Sequence, residues 1–311
     1  MLSKTAGGLF WMFRYLERCE NNARLLDAGF RIALTSSATA AAEWKSVLTT
    51  AGSLSHYRKA HGNFQSANVI DFLLRDPSNP SSVISNVKMA RDNARMVRPA
   101  LTREVWEATN ECWMALKNLL EKPVYEQDLP DVLSTIRQQS ALVRGATHGT
   151  MMRNDGYHFA RFGTFLERAD NTARILDVKY YLLLPSSAKI GSSLDNVQWE
   201  TILRSVSAQR AYRWLNGAAI NPINIAEFLI LNEEMPRSLA FCYANMHTHL
   251  MRIAKQYKDD RPSHGLVCSI QNSLIHTDIK RIFEEGLHEF IERFLVENGK
   301  LAMQVQTDYR F

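Results

Sequence analysis

A thirteen-residue stretch, Tyr15-Leu-Glu-Arg-Cys-Glu-Asn-Asn-Ala-Arg-Leu-Leu-Asp27, returns as Phe165-Leu-Glu-Arg-Ala-Asp-Asn-Thr-Ala-Arg-Ile-Leu-Asp177, 150 residues further along a chain of 311. Eight of the thirteen positions are identical, where average residue usage gives about one by chance. Weaker matches keep step with it. Trp44, Val47 and Leu48 match Trp199, Ile202 and Leu203, and Tyr57 and Gly62 match Tyr212 and Gly217, at an offset of 155. From Asn224 the offset is 156, so that Asp71-Phe-Leu73 matches Glu227-Phe-Leu229 and Pro80-Ser-Ser82 matches Pro236-Arg-Ser238. One residue has been added between Gly217 and Asn224. Two long copies are not a solenoid. The pattern predicts two tandem, pseudo-symmetric helical repeats, residues 1–153 and 154–311, divided at the turn signal Asn154-Asp-Gly156 and packed as one compact unit.

Apolar residues recur at spacings of three and four nearly throughout, which predicts an all-α multi-helix bundle. The first helix is expected over Leu9–Ala33, on the stripe Met12, Leu16, Cys19, Ala23, Leu26, Phe30 and Ala33. Thr35–Ala42 reads as a loop, and Glu43–Lys59 and Ala67–Arg75 as helices. Asn79 is placed as the cap of a helix with Pro80 at its first position, running to Arg98. Further helices are expected over Thr102–Leu120, up to Arg153, over Tyr157–Leu184 before Pro185, and over Thr277–Val296, with a short tail to Phe311. Asn221-Pro222 repeats the cap-and-proline signal. There is no strand pattern.

Several function classes are excluded or made remote. No apolar run approaches the ~18 residues of a membrane span. The first residues lack the regions of a signal peptide. Cys19, Cys112, Cys242 and Cys268 are scattered, without Cys-x-x-Cys, which fits a reduced, cytoplasmic protein. The net charge of +5 is spread among interleaved acids and bases rather than gathered in a basic block, so nucleic-acid binding is a minor reading. Phosphate-cradling loops, nucleophile elbows and zincin motifs are absent, and no cofactor is implied.

On a helix, Glu17, Asn21 and Arg24 fall on one line, as do Glu167, Asn171 and Arg174, while Arg18 and Arg168 sit about 100° round from their glutamates. This line borders the apolar stripe, so its charges must pair. Two readings follow. In the structural one, Glu20–Arg24 and Asp170–Arg174 are ion pairs along the helix, and Glu17 and Arg18 pair across the axis between the copies. In the chemical one, the arginines hold a carboxylate or phosphate and Glu17 or Glu167 moves a proton.

The halves diverge on one helix. Arg91, Asn93, Arg95 and Arg98 could bind an anion, and at offset 156 His247-Thr-His249 replaces Arg91-Asp-Asn93. His247 and His249 point to different faces, which makes them a weak metal pair. Glu285-x-x-His288 has di-iron spacing but lacks the second copy such a site needs. The basic stretch Arg144–Arg153 either packs against a neighbour or lines a cleft.

Leu9-Phe-Trp-Met12, Arg14-Tyr-Leu-Glu-Arg18, Asn21, Ala23-Arg-Leu-Leu-Asp27, Phe165–Asp177, Asp92-Asn-Ala-Arg95, Arg98 and Glu104-Val-Trp106 together resemble the bacterial alpha-E domain family, all-helical with a Glu-Arg motif. Gly7-Gly8 departs from the polar helix entry expected there. Members resemble components of gene neighbourhoods that encode ATP-grasp ligase-like proteins and transglutaminase-like or proteasome-like peptidases. The resemblance therefore implies a non-catalytic partner or substrate-binding subunit in a peptide synthesis or modification system. Its expected partner is an ATP-grasp ligase-like or transglutaminase-like protein, with a peptide as possible ligand. The alternative is an enzyme acting on a peptide or amide through a Glu/Arg site.

Overall fold

A computed structural model describes residues 3–34, 40–183 and 193–311, with the side chains of 40, 178–183 and 193–195 left aside. Most of the Thr35–Ala42 stretch and the turn at Pro185 lie outside these residues. Among the described residues there are fifteen α-helices and no strand. In chain order they are α1 (Ser3–Ala33), α2 (Ala40–Thr50), α3 (Leu54–Ala60), α4 (Ser66–Leu74), α5 (Val83–Met96), α6 (Arg103–Leu119), α7 (Leu129–Thr150) and α8 (Asp155–Leu183). These are followed by α9 (Ser193–Ser205), α10 (Gln209–Asn216), α11 (Pro222–Ile230), α12 (Leu239–Tyr257), α13 (Pro262–Ile275), α14 (Ile279–Glu285) and α15 (Leu287–Tyr309).

The two longest-motif helices, α1 and α8, pack on each other at the centre. Helices α5 and α7 lie against α1, with α6 across them; α12 and α15 lie against α8, with α13 across them. A single apolar core runs through residues of both halves of the chain. At the α1/α8 crossing Phe10 faces Phe162 at 6.1 Å between ring centroids. Gly163 lets the two backbones approach closely: a Cβ there would collide with the carbonyl oxygen of Phe10.

Several expected boundaries move. The helix predicted over Glu43–Lys59 breaks at Gly52, whose φ is +66°. Ser53 N–H donates to the Leu48 carbonyl and Gly52 N–H to that of Thr49, the paired bonds that close a helix on a left-handed residue. The same closure recurs between α9 and α10 with Ser207 at φ 57° and Ala208 N–H on the Leu203 carbonyl. A serine there gives no sequence signal. Asn79 does not cap α5; Ser82 does, its hydroxyl accepting from Ser85 N–H. Ser238 caps α12 in the same way. Asn79 instead ties down the turn before α5, donating to the Phe72 carbonyl and accepting from Ser81 N–H. The expected Asn221 cap with Pro222 is present. The tail predicted beyond Val296 is helical to Tyr309, because Leu301, Ala302 and Val305 are buried at helical spacing despite Gly299. Helix α13 is not anticipated by the sequence reading. Gly7 and Gly8 lie inside α1 rather than ahead of it, facing Phe311 and Val97.

Candidate functional site: the arginine lattice and its cleft

The packing of α1 on α8 brings each Glu-Arg dipeptide against the other. Arg168 donates from Nε to Glu17 Oε1 at 2.9 Å and from Nη2 to Oε2 at 3.1 Å. Reciprocally, Arg18 donates from Nε to Glu167 Oε1 at 2.6 Å and from Nη2 to Oε2 at 3.0 Å. Each is a two-pronged guanidinium–carboxylate pair. Asn21 Nδ2 reaches the Glu167 carbonyl at 3.3 Å. The structural pairing across the two copies, one of the two sequence readings, is what the geometry displays.

More arginines converge than the motif announces. Arg14, one turn before Arg18, donates to Glu167 Oε2 at 2.9 Å. Arg237, at the start of α12, bridges Glu17 Oε1 at 3.1 Å and Glu20 Oε1 at 2.5 Å. Arg144 from α7 pairs with Glu20 and stands 3.7 Å from Glu17. Arg24 donates to Glu20 as expected and also to the Ser205 carbonyl and the Ser207 hydroxyl. On the other side Arg174 holds Asp170 at 2.7 Å. Of the stretch Arg144–Arg153, expected either to pack against a neighbour or to line a cleft, Arg144 packs against the motif helix through Glu20. Arg237 was missed by sequence reasoning, which named Arg144 only within the basic stretch and Arg14 only within the family-like stretch, neither as a partner of the glutamates. The only signal for Arg237 is that it stands where the first half has Ser81.

The carboxylates of this lattice stay ionised. Glu17 is 1% exposed; burial alone would raise its pKa, but Arg168, Arg237 and Arg144 outweigh that and hold it well below the carboxylate range. For Glu167, burial is likewise outweighed by Arg18 and Arg14, and the pKa falls to about 2. Arg237, buried and crowded by Arg24 and Arg168, is lowered to about 10 and remains charged at neutral pH. Depressed carboxylate pKa values contribute stability above the unfolded-state value near 4.5, and that contribution disappears as pH falls toward about 2. Acid titration followed by circular dichroism should therefore show these pairs intact at pH 5 and a steep loss of the thermal midpoint between pH 4.5 and 2. Core unfolding already under way above pH 5 would contradict the depressed values.

Beside Glu167 the lattice is open. A cleft of about 260 Å³ is lined by the motif residues Arg18, Asn21, Glu167, Asp170, Asn171 and Arg174, with Thr50 and Ser81 on its other wall. Three wall residues carry a buried polar atom without a hydrogen-bond partner: Asn21 Oδ1, Asn171 Nδ2 and Thr50 Oγ1. Native interiors leave few such atoms.

The remaining candidates are elsewhere. Arg91 donates to Asn110 Oδ1 at 2.8 Å and Asn93 to the Met89 carbonyl of its own helix. Arg95 and Arg98 are exposed, Arg98 lying over the Trp106 ring. Arg91, Asn93 and Arg95 lie on α5 and Arg98 in the turn that follows it, and none of the four lines the cleft. His247 and His249 are not brought together. His249 Nδ1 meets His158 Nδ1 at 3.0 Å, and burial with neighbouring His158, Arg161 and Arg252 lowers its pKa to about 3. Glu285 pairs with Arg293, and His288 with Asp177 at 2.6 Å, which separates that spacing into two structural contacts. No group of three or more potential metal ligands converges among the described residues. No helix among them is long and apolar enough to cross a membrane.

Proteins named only as uncharacterised, from Mycobacterium bovis and from Mycobacterium tuberculosis strain CDC 1551, are each 22% identical to this chain over 299 residues. The aligned region is 90% of this chain and 32% of each relative, so the chain spans about a third of the length of the curated relatives it matches. No solved structure matches it. Residues 1–309 match Alpha-E, described as a predicted alpha-helical domain with a conserved ER motif. With Glu17-Arg18 and Glu167-Arg168 locked to each other at its centre, this chain belongs to the Alpha-E family.

Proposed function

We propose that the protein is a non-catalytic partner or substrate-binding subunit of a bacterial, ATP-grasp-ligase-associated system for peptide synthesis or modification, acting in the cytoplasm. The observation that carries this reading is the saturation of both motif glutamates. Each carboxylate is gripped by both prongs of one arginine and touched by a further one. A general base needs a pKa near the working pH, and Glu167, lowered to about 2 by Arg18 and Arg14, lies far from it. The cleft supports it too, as an open space lined by charged and amide side chains of both motif helices. The length of the relatives also supports it, since the helical unit there shares its chain with about twice its own length of other sequence.

The test is co-purification with an ATP-grasp ligase-like protein, or a transglutaminase-like protein, encoded beside this one. A complex with a dissociation constant at or below the micromolar range is expected. Absence of any complex at micromolar concentrations would remove the partner role.

A further inference from the structure

We infer that the cleft beside Glu167 is a socket for a guanidinium group supplied from outside the chain, the side chain of an arginine in a bound peptide or protein segment. It would stand beside Glu167 as Arg237 stands beside Glu17. The inference rests on the reading of this cleft as the ligand site and names its occupant.

The argument comes from comparing the two halves at matched positions. Glu17 and Glu20 correspond to Glu167 and Asp170, and Arg168 and Arg24 correspond to Arg18 and Arg174. All four of these residues make equivalent pairs in the two halves. The fifth position differs. Arg237, with only 7% of its side chain exposed, lies between Glu17 and Glu20 and donates to both. Its counterpart at offset 156 is Ser81, which ends at a hydroxyl and lines the cleft. The first two carboxylates are thus bridged by an arginine; of the second two, Glu167 is held by Arg18 and Arg14 and Asp170 by Arg174, and no arginine bridges them across the open space. The space of about 260 Å³ equals roughly eight waters, ample for an arginine side chain.

The chemistry of the walls selects the guest. The four charges lining the cleft, Arg18 and Arg174 against Glu167 and Asp170, sum to zero, and both arginines are already committed to these acids. That does not make an anion site. A planar guanidinium can bridge two carboxylates in a way a single ammonium cannot. It carries five N–H donors and no acceptor, which matches a wall whose two carboxylates, Glu167 and Asp170, are acceptors only. The Glu17 side already tolerates a further arginine in the equivalent place beside Arg168, Arg24 and Arg144.

The experiment is calorimetric titration of the full chain with N-acetyl-arginine methylamide, and with the lysine and citrulline analogues at equal ionic strength. The arginine probe should bind at least tenfold more tightly than either analogue. Ser81→Arg should fill the socket from within, abolishing probe binding while the protein stays folded. Asp170→Asn, on a more accessible side chain, should weaken binding at least tenfold and serves if Ser81→Arg does not fold. Equal binding of arginine and citrulline probes, inorganic phosphate competing for the cleft, or undiminished binding by Ser81→Arg or by Asp170→Asn would overturn the inference. Loss of the arginine preference with the ligase-like partner still bound would defeat this inference alone. Probe binding without any partner complex would defeat the partner role alone.

Discussion

Glu17→Gln is expected to destabilise the fold by about 3–5 kcal/mol, because it leaves buried arginines without their counter-charge. Arg168 and Arg237, with 10% and 7% of their side chains exposed, both donate to this carboxylate. Glutamine keeps the shape but offers one acceptor oxygen and no charge, so the two guanidiniums would face each other across an amide. In a protein of this size that loss should lower the thermal midpoint by about 5–8 °C. Arg174→Gln provides the internal control: the Arg174–Asp170 pair is 38% and 25% exposed, and removing it should change stability by about 1 kcal/mol or less. Chemical denaturation of the two variants side by side decides the matter. Equal, small losses would mean that water reaches the Glu17 lattice and screens it.

Gly163→Val should rival that loss for a steric reason. The added Cβ would stand inside van der Waals distance of the Phe10 carbonyl oxygen, and backbone on a packed helix cannot swing aside as a side chain can. Overpacking ordinarily costs about 1–3 kcal/mol. Here the only relief is to separate α1 from α8, which also stretches the Glu17–Arg168 and Glu167–Arg18 pairs a turn away. Gly145→Ala, on α7 where nothing lies within 4 Å of the new methyl, should do the reverse and stabilise by about 0.5–1 kcal/mol. Opposite signs for two glycine substitutions in helices would identify the crossing as the constraint. A Gly163→Val protein as stable as the parent would show that the helices can part without loss.

The helical class and the centrality of the Glu-Arg helices were legible in the sequence because period and repetition are local patterns. The reciprocal pairing was half legible: the repeat implied an axis, and an axis implies that a charge on one copy meets its complement on the other. The pairing of Arg237 and Arg144 with Glu20 was not, since one arrives from the turn before α12 and the other from α7, and no spacing rule connects them to Glu20. The cleft was illegible for the same reason. It exists through the contrast of Ser81 with Arg237, a difference that gains meaning only once both positions are seen to face matched carboxylate pairs. The boundary errors have local causes. Ser207 adopts a left-handed conformation that glycine ordinarily marks, and Asn79 spends its side chain on the turn rather than on the helix it precedes. The divergence at Arg91–Arg98 and His247/His249 is genuine in sequence, yet it falls on outer faces and on a histidine pair, not at the open cleft.

The crossed pairing of the two motif helices also sets a clock. Glu17 and Glu20 find Arg144, Arg168 and Arg237 only after well over a hundred further residues have been made. At ~5–20 residues per second of synthesis, the first motif helix waits on the order of ten seconds or more for its counter-charges. Until then its glutamates lack the counter-charges that offset their burial. Closure of the core is a late event that couples the beginning of the chain to its far end, with the slow kinetics that such long-range contacts bring.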